Sequence, residues 1–468
     1  IIHTENELQR IMELNEIKSV YFVGAGGIGM SALERYFLAK GMKVGGYDRV
    51  STELTRALEA EGAQLHYEDN VSLIAPEFLD KQTTLVVYTP AIPVDHKKLT
   101  YFRTNGFEIH KRAQVLGIIS RSYKALCVAG THGKTTTSTM AAHLLEQSHV
   151  KCSAFLGGIS KNYKTNYLYA AQSPYVVVEA DEFDRSFHQL TPWATVITAT
   201  DADHLDIYGT EEAYLESFTK YTTLIQPGGA LIMHTDLKMH QAVQPGVKVY
   251  SYSRTKGDFH AENVRIGGGE IVFDYVSPLG NINDVKLGVP VSINIENGIA
   301  ALALAQLAGA EPDELRSAMA SFCGVVRRFD FKVKNDRHVV LSDYAHHPAE
   351  IRQSVVSLKE VFDGRKITAL FQPHLYTRTR DFYRDFADSL SLFDEVVLTE
   401  IYPAREKPIE GVSSKLIFDN LKPGVEKYLI QKKDVLDFVK THPTDVLVVL
   451  GAGDLDDYTQ QIADIVNA

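Results

Sequence analysis

At 468 residues the chain is long enough for about three domains. Its formal net charge is −11, and no block of lysine or arginine interrupts it. A phosphate backbone needs a clustered basic face, so nucleic acid is excluded as a main partner and anionic ligands must be met by local sites. Three cysteines (Cys127, Cys152, Cys323) stand far apart without a CxxC pair. They support neither a disulfide framework nor a zinc site, and fit a reducing compartment. The opening IIHTENELQR has neither a signal-peptide core nor a transit-peptide composition. With no run of about 18 apolar residues to span a bilayer, these features predict a cytoplasmic protein without a membrane partner.

In chain order, Ser19–Val23 is a short apolar strand, Met30–Ala39 a helix and Lys43–Tyr47 a second strand. Thr84–Tyr88 is a further buried strand, running into Thr89-Pro90-Ala91. Strands alternating with helices predict a parallel sheet. The pattern restarts around residues 110–123, and Lys124–Ala129 opens a new sheet. Apolar strands at Tyr175–Val178 and Thr195–Thr198 run into Glu179-Ala-Asp-Glu182 and Asp201-Ala-Asp-His204. Residues 229–290 are β-rich, with Gly267-Gly-Gly269, and predict an antiparallel extension of the middle domain; a helix over Ile295–Leu307 follows. Beyond Gly324-Val-Val-Arg-Arg-Phe-Asp330, strands at Val339–Leu341, Ile367–Phe371, Val396–Leu398 and Val446–Leu450 alternate with helices. The reading is α/β in three domains, 1–112, 113–325 and 326–468. The first and third are Rossmann-like, and the central one is a P-loop ATPase-like α/β domain with a small antiparallel extension.

Two glycine turns carry the phosphate chemistry. Gly24-Ala-Gly26-Gly27-Ile28-Gly29 follows a strand and opens a helix, with Asp48 ending the next strand. Alone this is a dinucleotide fingerprint, but its physics requires only a diphosphate over a helix N-terminus. Gly130-Thr131-His132-Gly133-Lys134-Thr135-Thr136 also joins strand to helix, and Val128 stands where the strict G-x-x-x-x-G-K-[ST] pattern has its first glycine. Lys134 is positioned to neutralise β/γ-phosphates, and the Thr135 hydroxyl to reach Mg²⁺. Glu179 and His204 end strands of the same predicted sheet and suit Mg²⁺. Asp181, Glu182 and Asp184 read as a solvated acidic loop, while Asp201, Asp203 and Asp206 around His204 favour a functional role for the histidine. Ser342-Asp-Tyr-Ala-His-His-Pro348 is a polar strand end of the kind that serves a ligand. Gln372-Pro-His-Leu-Tyr-Thr-Arg-Thr-Arg380 offers an anion site for carboxylate or phosphate. Arg327 and Arg328 lie at a domain junction, where closure of the third domain would bring an arginine to transferring phosphate.

Together these segments resemble the Mur ligase family, the ATP-dependent amide-forming enzymes of peptidoglycan precursor synthesis. The resemblance covers the whole chain, through the turn at Lys134, Glu-Ala-Asp-Glu (179–182), Asp-His-Leu-Asp (203–206), Arg-Arg-Phe-Asp (327–330), Asp-Tyr-Ala-His-His-Pro (343–348) and Gln-Pro-His (372–374). Gly26-Gly-Ile-Gly-Met-Ser31, Thr377-Arg-Thr-Arg-Asp381, Ile401-Tyr-Pro-Ala404 and Gly451-Ala-Gly-Asp454 look like motifs of the member that joins L-alanine to UDP-N-acetylmuramate.

The resemblance implies the roles. Gly26, Gly27, Ile28, Gly29, Met30, Ser31, Asp48, Thr89 and Ala91 would hold the UDP-sugar rather than NAD. ATP would be bound by residues 130–136 and by Arg327 and Asp343. Ser292-Ile-Asn-Ile-Glu-Asn297 resembles the family's adenine motif, with Asn294 and Asn297 matching and Ile293 replacing a histidine. Thr135, Glu179 and His204 would hold two Mg²⁺ ions, with Mn²⁺ as a substitute, and Lys134, Glu179 and His204 would be the catalytic group. Tyr344, His346, His347, His374, Arg378 and Arg380 would surround the amino acid and the muramyl carboxylate. The expected enzyme is a monomer or weak homodimer. Three other readings stand beside it: a ligase adding a recycled tripeptide to the same sugar nucleotide, a P-loop switch without ligase activity, and an NAD-dependent oxidoreductase.

Overall fold

The computed structural model describes residues 14, 16–267, 270–404 and 406–467. The opening IIHTENELQR, residues 268–269 and the side chain of Asp206 lie outside the described residues. Two compact units are present. One comprises residues up to Ile159 together with Lys164–Ser251; the other comprises Ser160–Tyr163 together with residues from Tyr252 onward.

The first unit holds two sheets. Strands β1 (Ser19–Val23), β2 (Lys43–Tyr47), β3 (Gln64–His66), β4 (Thr84–Tyr88) and β5 (Glu108–Lys111) form a sheet in the order β3-β2-β1-β4-β5, all parallel. The strand order reverses between β1 and β4, so the glycine turn after β1 and Thr89 after β4 flank a topological switch point, where ligands of open α/β sheets collect. Strands β6 (Lys124–Ala129), β7 (Ser153–Ser160), β8 (Thr165–Leu168), β9 (Tyr175–Glu179), β10 (Pro192–Ile197), β11 (Ala230–His234) and β12 (Lys248–Tyr252) form the second sheet, in the order β12-β11-β10-β6-β9-β7-β8. Here β6 lies between β10 and β9, parallel to both, so the loops after these three strands meet at one end. One apolar core runs from Val20 and Phe22 of the first sheet and Phe37 of the helix Ile28–Ala39 to Phe155 and Val178 of the second sheet and Phe218 of the helix Glu211–Thr222. Tyr36 packs against Phe155 and Tyr167 with ring centroids 5.7 and 6.2 Å apart, which fixes the helix after the glycine turn against the second sheet.

The antiparallel extension is shorter than the sequence suggests. Its strands are β13 (His260–Gly267), β14 (Glu270–Val276) and β15 (Ile282–Lys286). Residues 230–252 instead complete the seven-stranded sheet, with β11 parallel to β10, because the apolar run at the start of β11 is buried. The last sheet contains β16 (Asp330–Lys334), β17 (Val339–Asp343), β18 (Ile367–Phe371), β19 (Glu395–Leu398), β20 (Glu426–Leu429) and β21 (Val446–Leu450). Its order is β16-β17-β21-β18-β19-β20, parallel except for β16. Both faces are covered by apolar cores, as near-continuous apolar strands require. No described helix is long and apolar enough to cross a membrane.

Candidate active site

The turn after β1 enters helix α1 (Ile28–Ala39) at Gly27, which gives the helix start no side-chain cap. Free N–H groups and the helix dipole therefore favour an anion there. Asp48 holds this turn in shape: its carboxylate accepts from Gly26 N at 2.7 Å and from Arg49 N at 2.7 Å. A β-carbon at Gly26 would sit 2.9 Å from Asp48 Oδ2, which explains the glycine. Ser31 is fully buried, donating to Ile28 O at 2.8 Å and accepting from Asn166 at 3.0 Å, so its hydroxyl serves packing between the sheets. Gly27, Ile28, Gly29, Met30 and Thr89 line a cavity of about 260 Å³ whose far wall carries Glu179. Ala91 is exposed in the turn beyond β4.

The turn after β6 needs its glycines. Gly130 (φ +130°) and Gly133 (φ +80°) adopt left-handed backbone, and a β-carbon on Gly130 would meet Thr198 Oγ1 at 2.2 Å. Helix Lys134–Glu146 follows. Lys134 Nζ donates to Gly130 O at 2.7 Å and pairs with Glu182 at 2.9 Å. Thr135 Oγ1 donates to Glu179 Oε1 at 3.1 Å, while Glu179 Oε2 is buried with no hydrogen-bond partner. A hydroxyl beside a carboxylate with a spare buried oxygen is a donor set of the kind a hard divalent cation takes. Gly157 backs this carboxylate, since a β-carbon there would lie 2.2 Å from Glu179 Oε2. The loop after β10 closes the turn: Thr131 N donates to Ala199 O at 2.9 Å, Thr131 Oγ1 to Asp201 O at 2.8 Å, and His132 lies 3.4 Å from Asp201. His204 takes a left-handed backbone (φ 53°), and its ring meets Phe183 of the acidic loop at 5.1 Å. Thr136 is half-buried in the first turn of the helix.

Of the acidic loop, Glu182 is not solvated as expected, whereas Asp181 and Asp184 remain partly exposed. Glu182 is 1% exposed against Lys134, Asp181 pairs with Arg112 at 3.3 Å, and Asp184 pairs with Lys111 at 3.1 Å. Burial alone would penalise Glu182 heavily, and the lysine beside it supplies the counter-charge. Burial lifts the Glu182 carboxyl above its usual range, against the pull of Lys134. Burial works against the Lys134 charge too, but Glu182, Asp181 and Glu179 outweigh it and hold its pKa above the usual lysine value.

In the second unit, Tyr344, His346 and His347 follow β17, His374 follows β18, and Arg378 lies in the first turn of helix Tyr376–Leu390. His374 Nδ1 meets Arg378 Nη1 at 3.3 Å, its ring stacks on Tyr402 at 5.7 Å, and the His346 ring is 6.1 Å away. Burial, with His346 and Arg378 adding, drives the His374 pKa down to about 4; burial also lowers that of His346. Asp343 is buried and accepts from Ser354, and burial raises its carboxyl to about 6. Arg327 (φ 64°) donates to Gly451 O at 3.0 Å and Gly453 O at 3.1 Å and lies over the Tyr344 ring at 4.9 Å. His347 heads the next helix and meets Phe382 at 5.3 Å. Arg380 stands apart from this group, exposed and paired with Asp381 at 2.7 Å. Asn297 donates to Asn294 Oδ1 at 3.0 Å and Asn294 to Val289 O at 3.1 Å at the start of helix Ile293–Leu307.

Three family models match the chain in succession: "Mur ligase family, catalytic domain" over residues 19–124, "Mur ligase middle domain" over 128–305 and "Mur ligase, glutamate ligase domain" over 327–453. The chain belongs to the Mur ligase family. Among relatives of this Mur ligase, a UDP-N-acetylmuramate–L-alanine ligase of Phocaeicola vulgatus is 66% identical, over 97% of this chain and 100% of the relative. An enzyme of the same name from Porphyromonas gingivalis is 51% identical, over 94% of this chain and 97% of the relative. A crystal structure of the UDP-N-acetylmuramate-alanine ligase of Thermotoga maritima matches with a TM-score of 0.78 at 29% identity, covering 95% of this chain and 98% of that one. A murein peptide ligase of Psychrobacter arcticus shares the fold, with a TM-score of 0.66 at 20% identity and coverage of 96% and 98%.

In this Mur ligase, Arg112 and Gly157 were not singled out from the sequence, and Glu182, read there as solvated, is buried against Lys134. Arg112 had a usable signal, because it follows directly on β5 and so stands at a strand's carboxyl end in a parallel sheet. Gly157 carried none, because a glycine inside a strand does not announce the carboxylate that needs its space.

Proposed function

We propose that this Mur ligase joins L-alanine to the muramyl carboxylate of UDP-N-acetylmuramate with ATP, releasing ADP and phosphate in the making of a peptidoglycan precursor. The observation that carries the reading is the meeting of Lys134, Thr135 and Glu179 at the ends of adjacent strands, with one Glu179 oxygen left unsatisfied. Full-length relatives of 66% and 51% identity carry the alanine-adding name, which favours that reading over tripeptide addition.

A carboxylate is a poor electrophile, so the γ-phosphoryl group is moved onto it as an acyl phosphate, and the amine of L-alanine then displaces phosphate. The turn N–H groups and Lys134 offset the negative charge gathered by that transfer. Thr135, Glu179 and His204 would hold Mg²⁺, or Mn²⁺ in its place, which supplies further charge neutralisation to the phosphates. Residues 130–136, Asn294, Asn297, Arg327 and Asp343 serve ATP. The glycine turn from Gly26 to Met30, with Asp48, Thr89 and Ala91, serves the sugar nucleotide, while Ser31, its hydroxyl engaged in packing, braces the turn from behind. Tyr344, His346, His347, His374 and Arg378 serve the amino acid and the carboxylate, while Arg380, exposed and paired with Asp381, is left outside the group. His374 accepts from Arg378 at Nδ1, so its Nε2 carries a proton and donates beside the guanidinium to a carboxylate. His346 bonds Tyr344 O through Nδ1 at 3.1 Å, which leaves Nε2 to accept from the amine. The enzyme works in the cytoplasm as a monomer or weak homodimer, without nucleic acid or membrane. A panel of L-alanine, L-serine, glycine and the recycled tripeptide, scored by ADP release with UDP-N-acetylmuramate, tests the reading. L-Alanine is expected to turn over fastest. Preference for the tripeptide, or ADP release indifferent to every amine, contradicts it.

A further inference from the structure

The cavity beside the glycine turn is lined mainly by glycine and apolar side chains, with three charged residues among them. Glu179 and Asp181 contribute carboxylates, and among the described residues that line it Arg112 is the one cation. Its side chain is 25% exposed, and Nη2 lies 3.3 Å from Asp181 Oδ2. The guanidinium also lies over the uncapped start of α1, where a β-carbon on Gly29 would be 2.6 Å from Arg112 Nη1. The last glycine of the turn is thus the space that Arg112 occupies.

We propose that Arg112 is a substrate-binding residue of this ligase, taking an oxyanion of the sugar nucleotide, with Asp181 as its counter-ion until the substrate arrives. The assignment rests on the reading above that the glycine turn holds UDP-N-acetylmuramate. The substrate carries a diphosphate and a carboxylate, and it must enter a space walled by Glu179 and Asp181. The dipole of α1 offers only partial charge. A guanidinium is always charged and presents a planar fork matched to phosphate or carboxylate, so Arg112 supplies what the cavity otherwise lacks. Asp181 is 38% exposed, so the substrate exchanges the guanidinium out of a solvent-screened pair rather than a buried one.

Calorimetric titration of the full chain, and of its Arg112→Gln, Arg112→Lys and Asp181→Asn variants, tests this with UDP-N-acetylmuramate, UDP-N-acetylglucosamine, UDP and ATP as ligands. Arg112→Gln is expected to weaken UDP-N-acetylmuramate by about 10- to 100-fold, the size of a lost charge-assisted contact, and to leave ATP within twofold. Arg112→Lys should recover part of the loss, and Asp181→Asn should tighten the same ligand, a gain that misfolding cannot imitate. Equal losses for all three uridine nucleotides assign the contact to the diphosphate, and a loss confined to UDP-N-acetylmuramate assigns it to the carboxylate. Wild-type binding with unchanged affinity in Arg112→Gln overturns the assignment alone. No wild-type binding of UDP-N-acetylmuramate overturns the ligase reading and the assignment with it.

Discussion

In the proposed reaction Lys134 is the residue on which the chemistry turns, and its protons are already engaged. It donates to Gly130 O, to Thr131 O at 3.3 Å and to Glu182, so incoming phosphate oxygens must take over contacts that the protein now makes. Lys134→Ala is expected to lower kcat by about 10³-fold, the upper range for one electrostatic group, while the Kd for UDP-N-acetylmuramate stays within twofold. Turnover and sugar-nucleotide binding lost together would contradict two separate sites. Glu182→Gln leaves the ammonium buried without its counter-charge, at a cost of about 3 kcal/mol in the nucleotide-free protein. ATP supplies the missing charge, so the variant should bind ATP at least about tenfold more tightly than the wild type. Urea unfolding with and without a non-hydrolysable ATP analogue measures both effects, and equal stabilisation of the two proteins would contradict the exchange.

At the scale of elements, the loops assigned to catalysis lie at the carboxyl ends of parallel strands, and that placement was legible in the amino-acid sequence. Thr89, Glu179 and His374 each stand at or just beyond the end of an apolar run, and such runs are recognisable without a partner. The partners were not. Glu182 and Lys134 are 48 residues apart, and an irregular loop has no periodicity to say which side chains turn inward. A different limit hid Glu34 on α1: the helix is buried on every side from Met30 to Phe37, so no periodicity marks the glutamate, which is fully buried with neither carboxylate oxygen hydrogen-bonded. Burial lifts its carboxyl well above the usual range; Arg35 pulls it back, and Asp48 and Glu61 push it further up. The folded protein therefore keeps a proton there that the unfolded chain releases above about 4.5, and the stability this group contributes is full below that pH and lost as pH rises. Glu34→Gln removes the dependence. Denaturant unfolding from pH 5 to 8 should show wild-type stability falling relative to the variant as pH rises, and parallel curves would refute the buried neutral acid.

For the whole molecule, the acidic balance and the anionic substrates are reconciled locally. In the proposed reading, a chain of net charge −11 meets phosphates with single cations at strand ends and helix starts; acidic-loop carboxylates hold the two cations so assigned, Lys134 and Arg112, and Lys111 beside them. Three successive α/β sheets were readable from strand–helix alternation, whereas the short reach of the antiparallel sheet was not. β11 and β13 are both apolar in part, and only pairing with β10 distinguishes the first. The central claim is that ATP activates the muramyl carboxylate as an acyl phosphate. UDP-N-acetylmuramate labelled with ¹⁸O in its lactyl carboxylate tests it most directly, by mass analysis of the inorganic phosphate formed with L-alanine. The account predicts one carboxylate-derived oxygen in each phosphate released, and phosphate free of label in the presence of alanylated product would contradict it.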